Sequence, residues 1–441
     1  IGHAPSYTPD YIDGQTMRLV ENTPILSALK LTGKTSDGLS VGVVQSLTAK
    51  ENATIYSGDS RVKIAAEPFS SYTVGRLKQD FNDGNTVLGG MITSTNRSIQ
   101  DDHLVFLPKN ALSGGIDFQH NWQKRKYFLD IKGLFSDIRG EKDAIARLQQ
   151  SSVHFYQRTD ADHLEYDPDR TSLSGWGGLL QGGKRSGKFR AIGSINWRSP
   201  GVDLNDLGYL YQVDLVEQMV NFTYKVNVPK GRIRSYYVEF EQQHDWSYGG
   251  ENTQDRLKLH GYLQLKNLWN AHLNLKRFYN ILDTRELRGG PALFKGAYND
   301  VELFIQSNNV KDLFVGFGPR VRFYNDNVSK TELYTAYLRW QISDRFSITS
   351  RTVYDHSIDH HQFVTRTKNL GGETKYVVGN IDRNTISSTL RFEYFISPEI
   401  SLQYYGNPYA SIGNYSRFRE VAEASARSID TRYTDLSESL Q

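Results

Sequence analysis

Asn384 to Asn407 shows the clearest alternation in the chain. It reads NTISSTLRFEYFI, then SPE, then ISLQYYGN. Ile386, Ser388, Leu390, Phe392, Tyr394 and Ile396 fall on one face of an extended chain. Thr385, Ser387, Thr389, Arg391, Glu393 and Phe395 fall on the other. A side-chain period of two predicts a strand, and Ser397-Pro398-Glu399 predicts a tight polar turn. Ile400, Leu402 and Tyr404 then continue the apolar face, while Ser401, Gln403 and Tyr405 continue the polar one.

The same hairpin recurs along most of the chain. Residues 1–23 have no clear period and read as a lead-in; residues 24–441 read as the main domain. Leu29 and Leu31 face Leu39, Val41 and Val43 across Thr35 to Gly38. Tyr72–Phe81 and Val87–Asn96 flank Asn82-Asp83-Gly84-Asn85, and Ile116–Trp122 and Tyr127–Phe135 flank Gln123 to Lys126. An insertion at 137–170 breaks the rhythm and reads as an ordered loop or partial plug. Within it Ala144, Ile145 and Leu148 sit at helical spacing in EKDAIARLQQ. Strand-like runs resume at LSGWGGLL and FRAIGSINW and continue in pairs to Phe346–Tyr354; residues 410–441 read as an irregular tail. The expectation is roughly 18 strands, several of about ten residues, the length a tilted membrane-spanning strand needs.

A soluble sandwich also alternates, so the pattern alone leaves the solvent open. Tight turns alternating with longer loops favour an up-and-down meander. Aromatics gather near strand ends, as at Tyr334, Trp340, Tyr394 and Tyr404, where interfacial girdles would lie. No blade period of about 40 residues recurs. The expected fold class is therefore all-β: a transmembrane antiparallel up-and-down β-barrel of roughly 16–20 strands in the outer membrane.

Composition adds constraints. The 441 residues include 27 Tyr and 37 Gly but no Cys, which excludes a disulfide framework and thiolate metal sites. A net charge of +3 is too even to suggest a nucleic-acid partner. Mean hydropathy is −0.54, and no run approaches the roughly 18 apolar residues of a membrane helix. A transmembrane barrel alternates and so averages hydrophilic. No signal peptide stands at Ile1, which fits a mature or trimmed chain, or a cytosolic one.

The main functional feature is a collective polar face. Arg256, Lys258, His260, Lys266, Lys276, Arg320, Arg322, Arg339, Arg351 and Arg391 would line the lumen opposite Glu239, Glu241, Asp300, Glu302 and Glu393. Mixed charge at a constriction can set selectivity, and the same residues could instead pair and close the interior. Asp160, Asp162, Glu165 and Asp167 are weak metal candidates, because hard oxygens suit Ca²⁺ but the spacing lacks an EF-hand's glycine and terminal glutamate. Arg158 and Arg170 stand ready to pair with them. Asp355, His356, Asp359, His360 and His361 read as a group just beyond a strand end. His260 and His272 face the lumen at different depths, without a GxSxG-type elbow for a serine nucleophile. No cofactor and no catalytic residue is expected.

Several long runs resemble the barrel region of the domain-of-unknown-function family 5916. They are ILSALKLTGKTSDGLSVGVV (25–44), ARLQQSSVHFYQRTDADHLEYDPDRTSLSG (146–175), NDLGYL (205–210), RELRGGP (285–291) and TLRFEYFISPEISLQYYGNPYASIGNYSRFRE (389–420). The resemblance implies an outer-membrane barrel of diderm bacteria, and for the acidic loop a structural role. It implies location more than activity. Such proteins usually carry a carbohydrate-binding family 9-like sandwich before the barrel and an aromatic hairpin at its end, and neither is in this sequence. Tight turns follow the odd-numbered strands, which would start the first strand outside; a strand before Ile25 or inverted loop lengths would reconcile this with a periplasmic N-terminal domain. The expected function is a non-enzymatic, porin-like conduit for small polar solutes, saccharides among them. The rival is a closed barrel that anchors or assembles with outer-membrane proteins, and a lipid- or glycan-active barrel enzyme comes third. The expected partners are the lipid bilayer and lipopolysaccharide, outer-membrane proteins, and a small polar solute or saccharide, with no nucleic acid.

Overall fold

Each period-two run pairs with the next one along the chain, because a short polar turn returns the chain antiparallel and in register. The structure is a computed structural model that describes residues 1–326, 328–369 and 371–436. The chain divides into two units: residues 1–185, 194–217 and 247–250, and residues 186–193, 218–246 and 251–441.

The first unit contains β1 (Thr16–Arg18), β2 (Ile25–Lys34), β3 (Leu39–Thr48), β4 (Glu51–Ser57) and β5 (Ser60–Glu67). It continues with β6 (Phe69–Phe81), β7 (Thr86–Ser98), β8 (Asn110–Trp122), β9 (Tyr127–Arg139), helix α1 (Lys142–Gln150) and β10 (Ser172–Lys184). β2, β3 and β6 to β10 pair in succession. The register places Leu31, Val43, Gly75, Ile92, Gly114, Phe135 and Trp176 in one cross-strand row. The lead-in is less irregular than its sequence suggests, since β1 joins β4 and β5 in a separate three-stranded sheet. No barrel strand precedes Ile25, and residues 1–24 are all described.

β11 (Phe189–Arg198) and β12 (Leu215–Val226) fall partly in each unit. The second unit then runs through β13 (Ile233–Trp246), β14 (Asn252–Leu265), β15 (Asn270–Asp283), β16 (Leu293–Gln306), β17 (Leu313–Tyr324) and β18 (Lys330–Ser343). It ends with β19 (Phe346–Lys368), β20 (Thr374–Ser397), β21 (Ile400–Gly406), β22 (Tyr409–Val421), the helical turn α2 (Ile429–Arg432) and β23 (Tyr433–Asp435). β21 and β22 are two halves of one line, since both pair with β20. The expected irregular tail is therefore corrected: Tyr409–Val421 is strand, hidden in sequence by serine, asparagine and arginine, while 437–441 lie outside the described residues. Apart from β1, β4 and β5, the strands belong to one antiparallel, up-and-down barrel sheet. With β21 and β22 merged and the three-residue β23 set aside, eighteen lines remain among the described residues. The strands at the ends of the meander, β2 in the first unit and β21–β22 in the second, are exposed on both faces almost throughout.

The turn between β6 and β7 has Asn82, Asp83 and Gly84 at positive φ, the geometry whose twist suits a hairpin. Buried apolar clusters lie at the opposite strand ends. In the first unit Ile138, Ile145, Tyr156, Ala161, Leu164 and Leu173 pack together, so the 137–170 insertion is an ordered loop with its own small core. Helix α1 begins one residue after the predicted stretch and buries Ala144 and Ile145, as the spacing required. Gln149 ties the helix to the loop: its side-chain amide donates to the Asp167 carbonyl at 2.8 Å, and the Asp167 amide donates back at 3.0 Å. Gly175 admits the chain at Gly201–Val202 so closely that a Cβ there would stand 2.0 Å from the Val202 nitrogen. In the second unit Leu287, Leu293, Phe363, Val378, Val421 and Tyr433 form the corresponding cluster.

Ile145→Ala is expected to cost the loop cluster about 3 kcal/mol, as deletion of a fully buried side chain does elsewhere. Limited proteolysis should then cut faster within 140–171, while hydrogen exchange in β6 to β9 stays unchanged.

Candidate functional site

Period two assigns side chains to faces, and the register then decides which charges meet. In the second unit Glu241, Lys258, Lys276, Asp300 and Arg322 form one continuous cross-strand row from β13 to β17. The next row holds Glu239, His260, Asn274, Glu302 and Arg320. Across a strand pair such neighbours lie about 5 Å apart, within reach of long polar side chains.

Asp300 is the hub, fully buried between two arginines. Arg320 donates from Nε to Oδ1 at 2.9 Å and from Nη2 to Oδ2 at 2.5 Å. Arg322 donates to Oδ2 from Nε at 3.3 Å and from Nη2 at 3.1 Å. Arg320 thereby turns away from Glu302, its partner in register, and Glu302 accepts from the Asn274 amide at 3.4 Å. Arg256 donates to Glu241 at 2.6 Å, and Lys258 lies between Glu239 and Glu241 at 3.2 and 3.4 Å. Phe278 stacks on Tyr298, which meets Tyr324 at a tilt, beside these pairs, with Arg322 over Tyr298.

Beyond β17 the arginines of this face have no carboxylate partner among the described residues. Arg339 donates to the Asn309 carbonyl, Arg391 lies 5.3 Å over the Tyr405 ring, and Glu393 accepts from the Ser347 hydroxyl at 3.4 Å. Arg351 is exposed on the same face. Of the residues expected to line the lumen, Lys266 differs. It lies in the exposed Lys266–Trp269 turn beyond β14, because Leu265 is the last paired residue before the chain reverses. His260 and His272 stand on paired strands one row apart. They are diagonal neighbours with ring centres 5.9 Å apart, since His260 pairs with Asn274 and Tyr262 with His272.

The acidic loop spreads its charges. Arg158 holds Asp160 through two hydrogen bonds of 3.2 and 3.1 Å, Arg170 approaches Asp167 at 3.9 Å, and Lys142 pairs with Asp169 at 2.6 Å. No group of three potential metal ligands, Asp162 and Glu165 included, occurs among the described residues. Burial pushes the nearby Tyr156 phenol up to about 12, Arg170 opposing and Asp214 adding to the effect.

The Asp355–His361 group lies inside β19 rather than beyond a strand end, because that strand runs to Lys368. His356 bridges Glu332 and Asp382 at 3.6 and 3.0 Å. His361 bonds the Tyr433 hydroxyl at 2.6 Å and lies 3.5 Å from Asp326. Asp326, Tyr433 and the Arg76–Asp117 pair of the first unit, at 2.5 Å, escaped sequence reasoning because only long-range packing brings them into place.

Burial alone would raise the Asp326 carboxyl. Hydrogen bonds from His361, the Ser329 hydroxyl and the Val328 and Ser329 amides outweigh it and hold the group well below the usual carboxylate range. A depressed folded pKa contributes stability above the unfolded value of about 3.9, and that contribution is lost as pH falls through and below it. The contacts of Asp326 and Ser329 to β19 should therefore loosen below about pH 4 in the wild type, read as faster amide exchange at Ser329. In Asp326→Asn they should already be loose at neutral pH. In the same second unit, Asp300→Asn removes the anion shared by two guanidiniums. It should lower unfolding stability by about 2–3 kcal/mol in a urea titration, discounted for the partial exposure of both arginines. Glu302→Gln should stay near wild type.

Among curated proteins, none matches this chain. The anion-selective porin from Comamonas acidovorans aligns at a TM-score of 0.32 and 11% identity, over 72% of this chain and 89% of the porin. OccK1 (OpdK) of Pseudomonas aeruginosa aligns at 0.37 and 9%, over 86% and 97%, and so does its structure with vanillate. No property of either is transferred at that level of likeness. The family model described as "Domain of unknown function (DUF5916)" matches residues 1–438. With nearly its whole length covered, the chain belongs to the DUF5916 family.

Proposed function

We propose that this protein is an integral barrel of the bacterial outer membrane and a porin-like conduit for small polar solutes, saccharides among them. One observation carries the reading: the apolar face of the strands is exposed. Leu31, Leu77, Ile92, Ile116, Phe135 and Trp176 are 44% exposed or more in the first unit. In the second, Phe240, Leu259, Val301, Ile305 and Phe317 range from 37% to 53%. A soluble sandwich would cover such a face with a second layer, whereas hydrocarbon covers it in a membrane. The buried apolar clusters occur at the loop ends, where water would be the solvent. No described helix could cross a membrane, which says nothing of strands.

On this reading lipid and lipopolysaccharide surround the apolar face. The charged face lines a water-filled path, and no chemical step is required of it. The rival reading, a closed anchor or assembly partner, draws on the ion pairs from β13 to β17, since paired charges can seal an interior. Single-channel recording in a planar lipid bilayer separates the two. Steady current proportional to salt is expected of the conduit. A stably inserted but silent barrel would sink it and turn attention to a protein bound at the loops.

A further inference from the structure

Charge on the polar face of the second unit is unevenly matched. From β14 to β17 Arg256, Lys258, Arg320 and Arg322 each have a carboxylate within 3.4 Å. On β18, β19 and β20 the arginines of this face continue, while the acids on it, Asp355 and Glu393 among them, pair with none of them. Among the described residues, no carboxylate comes within ion-pair distance of Arg339, Arg351 or Arg391.

The register brings these three together. Thr349 of β19 pairs with Arg339 of β18 on one side and with Arg391 of β20 on the other. Arg351 is two residues further along β19, on the same face, between Tyr337 and Thr389. Neighbouring strands are about 5 Å apart and alternate residues about 7 Å, so the three arginine positions surround one small threonine, with Arg339 leaning to Phe314 and the Asn309 carbonyl. Arg351 and Arg391 are exposed, and Arg391 is steadied against the Tyr405 ring. Glu393, the nearest acid on this face of β20, faces Ser347 instead.

We infer that Arg339, Arg351 and Arg391 form an anion-binding station for small solutes bearing two or more carboxylate or phosphate groups. Each guanidinium presents a planar fork that matches an oxyanion through two parallel hydrogen bonds. Arg339 leans over Phe314 and Arg391 over Tyr405, so the three like charges stand apart; a multivalent anion that draws their forks inward answers all three at once and offsets their repulsion. A monovalent solute leaves part of that repulsion in place, which gives the station its preference. The Thr349 hydroxyl adds a neutral donor between the arms. The inference rests on the proposed conduit for its role in transport, since the station would then select what passes.

Two measurements on the full chain test it separately. Isothermal titration of the detergent-solubilised protein with citrate should show saturable binding that weakens as salt rises, and pyrophosphate in a parallel titration shows whether carboxylate or phosphate is preferred. Arg351→Gln and Arg391→Gln should each weaken citrate about tenfold, one charge-assisted interaction apiece. Arg351→Lys, which keeps the charge and loses the fork, should fall between. Lys266→Gln, in the exposed turn, should bind as wild type does. In a planar bilayer under a KCl gradient, the wild type should prefer chloride, and the triple glutamine variant should lose that preference.

Wild-type protein with intact strand structure and no saturable binding of either probe overturns the station whether or not the barrel conducts. Binding unaffected by any of the three substitutions overturns it equally. Binding that is lost in the variants while bilayers stay silent supports the station and removes the conduit.

Discussion

The hydrogen-bond ladder between sequence neighbours is the constraint on which the rest of the structure depends. An extended chain has no internal partner for its amides, so each strand needs another beside it at about 4.8 Å. Pairing in succession meets that need with short turns, and it fixes which residue faces which. A slip of one residue would turn every apolar side chain to the charged face. The rows from Phe240 through Leu259 and Leu275 to Val301, and from Glu241 through Lys258 and Lys276 to Asp300, are thus two readings of one register.

The polar face then behaves as two regions with different chemistry. Around Asp300 both arginines are answered by one carboxylate, and the arrangement is rigid because the hydrogen bonds are directional and the carboxylate is buried. Around Thr349 the cations remain unanswered by acid. The first region resembles a structural clamp and the second a surface awaiting a counterion. Both arise from alternate positions of adjacent strands, and only the identity of a few residues separates them.

Much of this was legible in the sequence, for physical reasons. Tyr334 to Ile342 and Leu257 to Leu265 alternate cleanly because one face of the sheet is apolar and the other polar, so strands and faces could be assigned. Helix α1 could be placed because Ala144, Ile145 and Leu148 must share a buried side. Tyr409–Val421 was lost because both its faces are exposed and neither needed a hydrophobic pattern. Lys266 was misplaced because alternation does not mark where a strand stops. The His260–His272 contact depended on a register that the turn at Leu268 sets. The Asp326–His361–Tyr433 contacts join residues from distant parts of the chain, and no local signal links them.

In each unit the two ends of the strands are chemically unlike. One end closes in turns of a few polar residues, such as Asn82 to Asn85 or Asp344 and Arg345. The other carries folded, hydrated segments with their own buried clusters around Ile145 or Leu287. Carrying a folded loop through hydrocarbon would expose dozens of amides without partners, whereas a two- to four-residue turn exposes very few. On the membrane reading proposed above, entry into a bilayer is consequently one-way: the hairpin tips lead, the loop-bearing ends stay behind, and orientation is decided by which surface is met first.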